Sequence, residues 1–205
     1  MKVSAIISEY NPFHTGHAYH IKKTRENGAT HIIAIMSGNF VQRGDFALFD
    51  KWTRAKNAIL GGVDLVLELP TLYSTSSAEN FALGAVKIIN SLSIVDELSF
   101  GSEIGNLKLL SSLSDLLDTP VINQAIKEFL GLGLSFPNAI SKAIAKIAGQ
   151  EMAQILGSPN NTLAIEYISA LKKVGCKAVP FTVKRIGAGY NDLGSKDGFV
   201  SSTYL

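Results

Sequence analysis

An α/β fold built on a doubly wound parallel sheet is predicted by three observations. Short, nearly uninterrupted apolar runs recur along the chain. Segments of helical period separate them, and strand and helix alternate at least four times. Such runs suit strands covered on both faces, and right-handed crossovers then lay helices over both sides of the sheet. Ligands of such sheets bind where strands end and helices begin.

The elements follow in order. Val3 to Ser8 is a short apolar run and predicts a buried strand. His17 to Asn27 predicts a helix, stopped by Gly28. Thr30 to Met36 predicts the second strand, with Ser37-Gly38-Asn39 as its loop. Lys51 to Leu60 predicts a helix ended by Gly61-Gly62, and Val63 to Leu69 a third strand stopped by Pro70. Ser76 to Leu92 predicts a helix and Ile94 to Phe100 a fourth strand. Residues 106–117, 120–130, 137–156 and 161–174 read as helical, so that 106–160 forms a helical insertion before a last strand at Lys177 to Val183. No internal repeat or low-complexity tract interrupts this order.

The 205 residues suit one globular domain, and 46% apolar against 18% charged residues is a core-forming balance. Nineteen basic against 17 acidic side chains leave +2, which excludes a protein that coats DNA by charge alone. The charge is uneven. Residues 1–120 carry 10 basic and 12 acidic groups, whereas residues 121–205 carry 9 and 5, a tilt compatible with a polyanion on the C-terminal side. One cysteine, Cys176, excludes an internal disulfide framework and a Cys-rich zinc site. The apolar start of the chain is interrupted by Glu9 and is too short for a signal peptide, and no 18-residue apolar run exists, so a cytoplasmic protein without a membrane span is expected.

The first strand-to-helix turn reads Glu9-Tyr10-Asn11-Pro12-Phe13-His14-Thr15-Gly16-His17. Two imidazoles flank a glycine, H-x-G-H, at the mouth of a helix. A helix N-terminus offers free N–H groups and partial positive charge, which suit phosphate. Gly16 allows close approach of a ligand to the backbone. Histidines donate hydrogen bonds to phosphate oxygens and stabilise the charge of a pentavalent α-phosphate. The pattern therefore points to attack on the α-phosphate of ATP with pyrophosphate leaving. His14, His17 and His20 at spacings of three leave open a metal-binding face, and structural histidines are the other alternative.

The chain resembles a known group at this point. The H-x-G-H turn is similar to the signature of HIGH-superfamily nucleotidyltransferases, which implies a Rossmann-like fold. More narrowly, the turn at 9–17, Met36 to Gly44, Lys51 to Arg54, Val63 to Pro70, Phe100-Gly101-Ser102-Glu103 and Pro159 to Leu163 resemble, in order, the bacterial tRNA(Met) cytidine acetate ligase family. That resemblance implies an ATP-dependent ligase forming a C–N bond. It would activate acetate as acetyladenylate and acetylate N4 of the wobble cytidine of elongator tRNA(Met), with Mg2+ accompanying ATP. The alternative is an adenylyl or cytidylyl transferase making a small cofactor.

The resemblance carries ATP binding onto Ile7, Ser8, Glu9, Tyr10, Asn11, Pro12, Phe13, His14, Thr15, Gly16, His17 and His20, with His14 and His17 catalytic. Gly101, after the fourth strand, is expected to lie against the nucleotide. Asn161, opening a helix after Pro159, is expected to cap it or to hold a nucleotide hydroxyl, with Asn160 as the alternative holder. Arg185, after the last strand, is the expected phosphate contact. Gln42-Arg43-Gly44 and Lys51-x-x-Arg54 read either as substrate contacts or as a solvated face. Tyr10, Phe13 and Trp52 are candidates for base stacking, with core packing the commoner fate. Ser201-Ser202-Thr203 resembles the start of the second superfamily signature, so residues 1–205 are expected to be an ATP-binding domain that continues past Leu205.

Overall fold

The computed structural model describes residues 1–42 and 44–186; Arg43 and the Ser201-Ser202-Thr203 segment lie outside the described residues. Five parallel strands form one sheet: β1 (Val3–Ser8), β2 (His31–Ser37), β3 (Leu65–Leu69), β4 (Glu97–Ser102) and β5 (Val179–Lys184), in the order β3-β2-β1-β4-β5. The order reverses between β1 and β4, so a crevice opens there at the carboxyl ends of the strands.

Strand alternation sorts the core into two layers. Ile6, Ile32, Ala34 and Met36 face α1 (Thr15–Glu26) and α2 (Lys51–Leu60) through Ile21 and Ala58. Ala5, Ile7, Ile33, Ile35, Leu98 and Phe100 face the opposite way. There they meet α4 (Ala78–Leu92) and α9 (Pro159–Val174), with the short α3 (Thr71–Ser74) leading into α4. The doubly wound sheet is therefore as expected.

Residues 106–160 are helical, but in four pieces before α9: α5 (Leu107–Leu117), α6 (Pro120–Gly131), α7 (Phe136–Ala148) and α8 (Gln150–Ile155). The single helix expected over 137–156 is broken at Gly149, whose φ of +93° and ψ of 162° no helix accommodates. The third strand starts at Leu65 and not at Val63, because Asp64 turns its carboxylate onto the Ile32 N–H (2.6 Å) and the Arg25 guanidinium (2.6 Å). The fourth strand is displaced to Glu97–Ser102. None of the helices among the described residues is long and apolar enough to cross a membrane.

Candidate functional site

The crevice between β1 and β4 is a cleft of about 510 Å3, walled by the β1–α1 turn, the ends of β4 and β5, the start of α9 and the loop before α2. That volume is of the size that takes a nucleotide-sized ligand. In the turn after β1, Tyr10 adopts φ +48° and the Asn11–Pro12 peptide is cis. The helix starts at Thr15, two residues before the expected His17, so His14 becomes the cap of α1.

His14 and His17 cap α1 reciprocally. The Gly16 N–H donates to His14 Nδ1 (3.0 Å), and the His14 N–H donates to His17 Nδ1 (3.2 Å). An accepting nitrogen carries no proton, so in both neutral rings the proton sits on Nε2, which is left as a donor. The rings stack with centroids 3.8 Å apart. Two adjacent N–H donors therefore stand at the positive end of a helix.

Burial keeps these rings neutral. It pulls His14 down to about 4, with the Arg185 guanidinium adding to the effect. Burial also holds His17 well below the ordinary histidine value, helped by His14, His20 and Arg185. His20 is lowered to about 4 by burial, with Arg185 adding to the effect. It is tied by Nε2 to Ser99 Oγ (2.9 Å), which meets Thr24 Oγ1 (2.7 Å), while Thr24 Oγ1 donates to the His20 carbonyl (3.0 Å). That order makes Ser99 a donor to Thr24 and an acceptor from His20, so His20 also carries its proton on Nε2.

Gly16 has a reason beyond ligand access. A Cβ there would stand 2.9 Å from His14 Cε1 and 3.0 Å from its Nδ1, so the glycine makes room for the capping ring. Gly101 is similar: the space above it holds the stem of Arg185, whose Cγ would lie 3.3 Å from an added Cβ. Arg185 leaves β5 with its N–H on the Ser102 carbonyl (2.9 Å) and brings Nη1 to within 3.4 Å of Asn160 Oδ1.

Residues 1–205 match the family described as HIGH Nucleotidyl Transferase. The chain belongs to that family. It is 48% identical over its full length to the tRNA(Met) cytidine acetate ligase of Caldanaerobacter subterraneus subsp. tengcongensis, covering 52% of that protein. It is 47% identical to the ligase of that name from Clostridium tetani, again over its full length and covering 53% of that protein. The chain thus spans about half the length of these curated relatives. Among solved structures it is similar to apo Thermotoga maritima TmcAL (TM-score 0.93, 38% identity, 99% of this chain and 50% of that one). It is also similar to the same protein bound with alpha-thio ATP (TM-score 0.90, 37% identity, 99% and 49%).

Of the residues expected at the nucleotide, Ile7, Ser8, Glu9, Tyr10, Asn11, His14, Gly16, His17, His20, Gly101 and Arg185 line the cleft. Pro12, Phe13, Thr15 and Asn161 do not. Phe13 packs where a Gly61 side chain would be, and Thr15 is exposed. Asn161 is 3% exposed, accepting from the Ile104 N–H (3.1 Å) and donating to the Ile155 carbonyl (3.0 Å), so it stitches the helical layer together. Asn160, held open as the alternative, is the one at the cleft.

Asn11 is also occupied, accepting from the Leu48 N–H (2.7 Å). Arg54 is neither a substrate contact nor part of a solvated face. It is fully buried, donating to the carbonyls of Glu9 (2.5 Å), Ser37 (3.1 Å), Gly38 and Phe49 (3.0 Å), and so pins the turn after β1 to the loop after β2. Trp52 is 75% exposed, with Lys51 Nζ over its ring at 5.4 Å. Gln42, for which a substrate contact was one of two readings, lines the cleft, and Phe46, Lys184 and Tyr167 line it without having been expected to. Among the described residues no group of three or more His, Cys, Asp or Glu is placed to hold a metal ion.

Proposed function

We propose that this chain is the ATP-binding domain of a tRNA(Met) cytidine acetate ligase. The observation that carries the proposal is the pair of Nε2–H donors of His14 and His17, set by their Nδ1 acceptors at the head of α1, with Arg185 across the cleft. A carboxylate oxygen of acetate attacks the α-phosphorus of ATP. The bond to the bridging oxygen breaks, pyrophosphate leaves, and acetyladenylate forms. The two imidazoles stabilise the charge that grows on the non-bridging oxygens in the transition state, and being preorganised by the helix cap they do so without rearranging. Arg185 draws the polyphosphate to the β5 side. The cytidine N4 amine then attacks the acetyl carbon, and AMP leaves.

Magnesium enters as part of the ATP substrate, with few protein ligands of its own. Supporting the substrates are the names of the relatives and the ATP-analogue complex of the Thermotoga protein. A tRNA-modifying enzyme of this kind works in the cytoplasm. The test is transfer of labelled acetate to tRNA(Met) in the presence of ATP, with acetate-dependent exchange of pyrophosphate into ATP. Exchange that ignores acetate and requires a phosphorylated small substrate contradicts the proposal.

A further inference from the structure

Two helix N-termini face the cleft, and they are closed by different chemistry. At α1 the caps are the neutral rings of His14 and His17. At α9 the residue at the cap position, Ser158, makes no side-chain cap bond. Glu103, reaching over from the end of β4, takes its place. Its Oε2 accepts from the Asn161 N–H (2.8 Å) and its Oε1 from the Asn160 N–H (3.3 Å). A carboxylate at that helix end leaves α1 and Arg185 as the places for phosphate.

The same carboxylate acts on a side chain. Glu103 Oε1 accepts from Asn160 Nδ2 at 2.6 Å, the shortest of its three contacts. An ionised carboxylate only accepts, so the Asn160 amide is held with its NH2 toward Glu103 and its carbonyl oxygen toward Arg185 Nη1 (3.4 Å). The geometry points to Glu103 as a positioning residue of the nucleotide cleft: it fixes the orientation of Asn160 and, through it, the placement of the Arg185 guanidinium. This rests on the cleft being the ATP site. Glu103 touches no ligand itself, so its effect passes through the amide it orients.

A double-mutant cycle read by calorimetric ATP binding tests this, with thermal melting alongside. Glu103→Ala weakens ATP binding about tenfold in the wild-type background and leaves it unchanged in an Asn160→Ala background, because the side chain it orients is gone. Loss of the α9 cap, a structural effect, lowers the melting temperature equally in both backgrounds. Glu103→Gln, which keeps the size but presents only one accepting oxygen, gives a smaller loss of affinity and serves should the alanine variant not fold. Losses that add across the two backgrounds, or unchanged affinity in both Glu103 variants, overturn the proposal. A wild-type protein that binds no ATP overturns the underlying assignment of the cleft instead.

Discussion

Gly16 and His14 are coupled by contact. An added methyl at Gly16 meets the His14 ring at 2.9–3.0 Å, and the ring must move off its capping position. Losing the cap costs about 1 kcal/mol, while alanine in place of glycine in a helix returns about 1 kcal/mol. Gly16→Ala therefore melts close to wild type, yet binds ATP about tenfold more weakly, because one of the two proposed phosphate donors is misplaced. Calorimetry at matched melting temperature checks this, and unchanged affinity contradicts it. Asn161 predicts the opposite separation. Asn161→Ala orphans the Ile104 N–H and the Ile155 carbonyl in a buried place, at about 1–3 kcal/mol, and leaves ATP affinity as it was. Denaturant melts and titrations on the same variant measure both. The two adjacent asparagines were indistinguishable in sequence, since the choice depends on which of them the rotation of α9 turns toward β4.

The head of α1 carries three half-buried, neutral imidazoles, and this gives its stability a sign in pH. His14 and His20 lie at about 4 in the folded chain and His17 well below its ordinary value, whereas the unfolded chain titrates near 6.5. Between those values the unfolded state binds more protons, so acidification favours unfolding. The stabilisation is complete above about pH 6.5 and is lost as pH falls toward 4. Urea midpoints should therefore drop between pH 6.5 and 5, a window in which ordinary carboxylates remain ionised. A His20→Gln variant should show a shallower fall, and a profile flat over that window contradicts the assignment. At this scale most elements were legible, because periodicity and stop residues are local signals. The helix expected over 137–156 failed at Gly149, where apolar spacing continues across a backbone that turns. The start of β3 failed at Asp64, whose partners Arg25 and Ile32 lie far away in sequence.

For the whole molecule, the cleft is a product of topology. The H-x-G-H turn was readable because cap, glycine and imidazoles fall within four residues. Tyr167, Lys184 and Phe46 reach the same cavity from α9, β5 and the loop before α2, which the strand order brings together and no local pattern announces. Arg54 was legible as a cation but not as a buried one: its burial follows from the carbonyls of Glu9, Ser37 and Gly38 converging on it at the ends of β1 and β2.

In the proposed function, the two imidazoles heading α1 receive the α-phosphate of ATP. A crystal structure of this protein with a non-hydrolysable ATP analogue tests it most directly. The expected result is α-phosphate oxygens at hydrogen-bond distance from Nε2 of His14 and of His17, with Arg185 on the polyphosphate. An analogue seated with its phosphates away from both rings, or outside the crevice between β1 and β4, contradicts it.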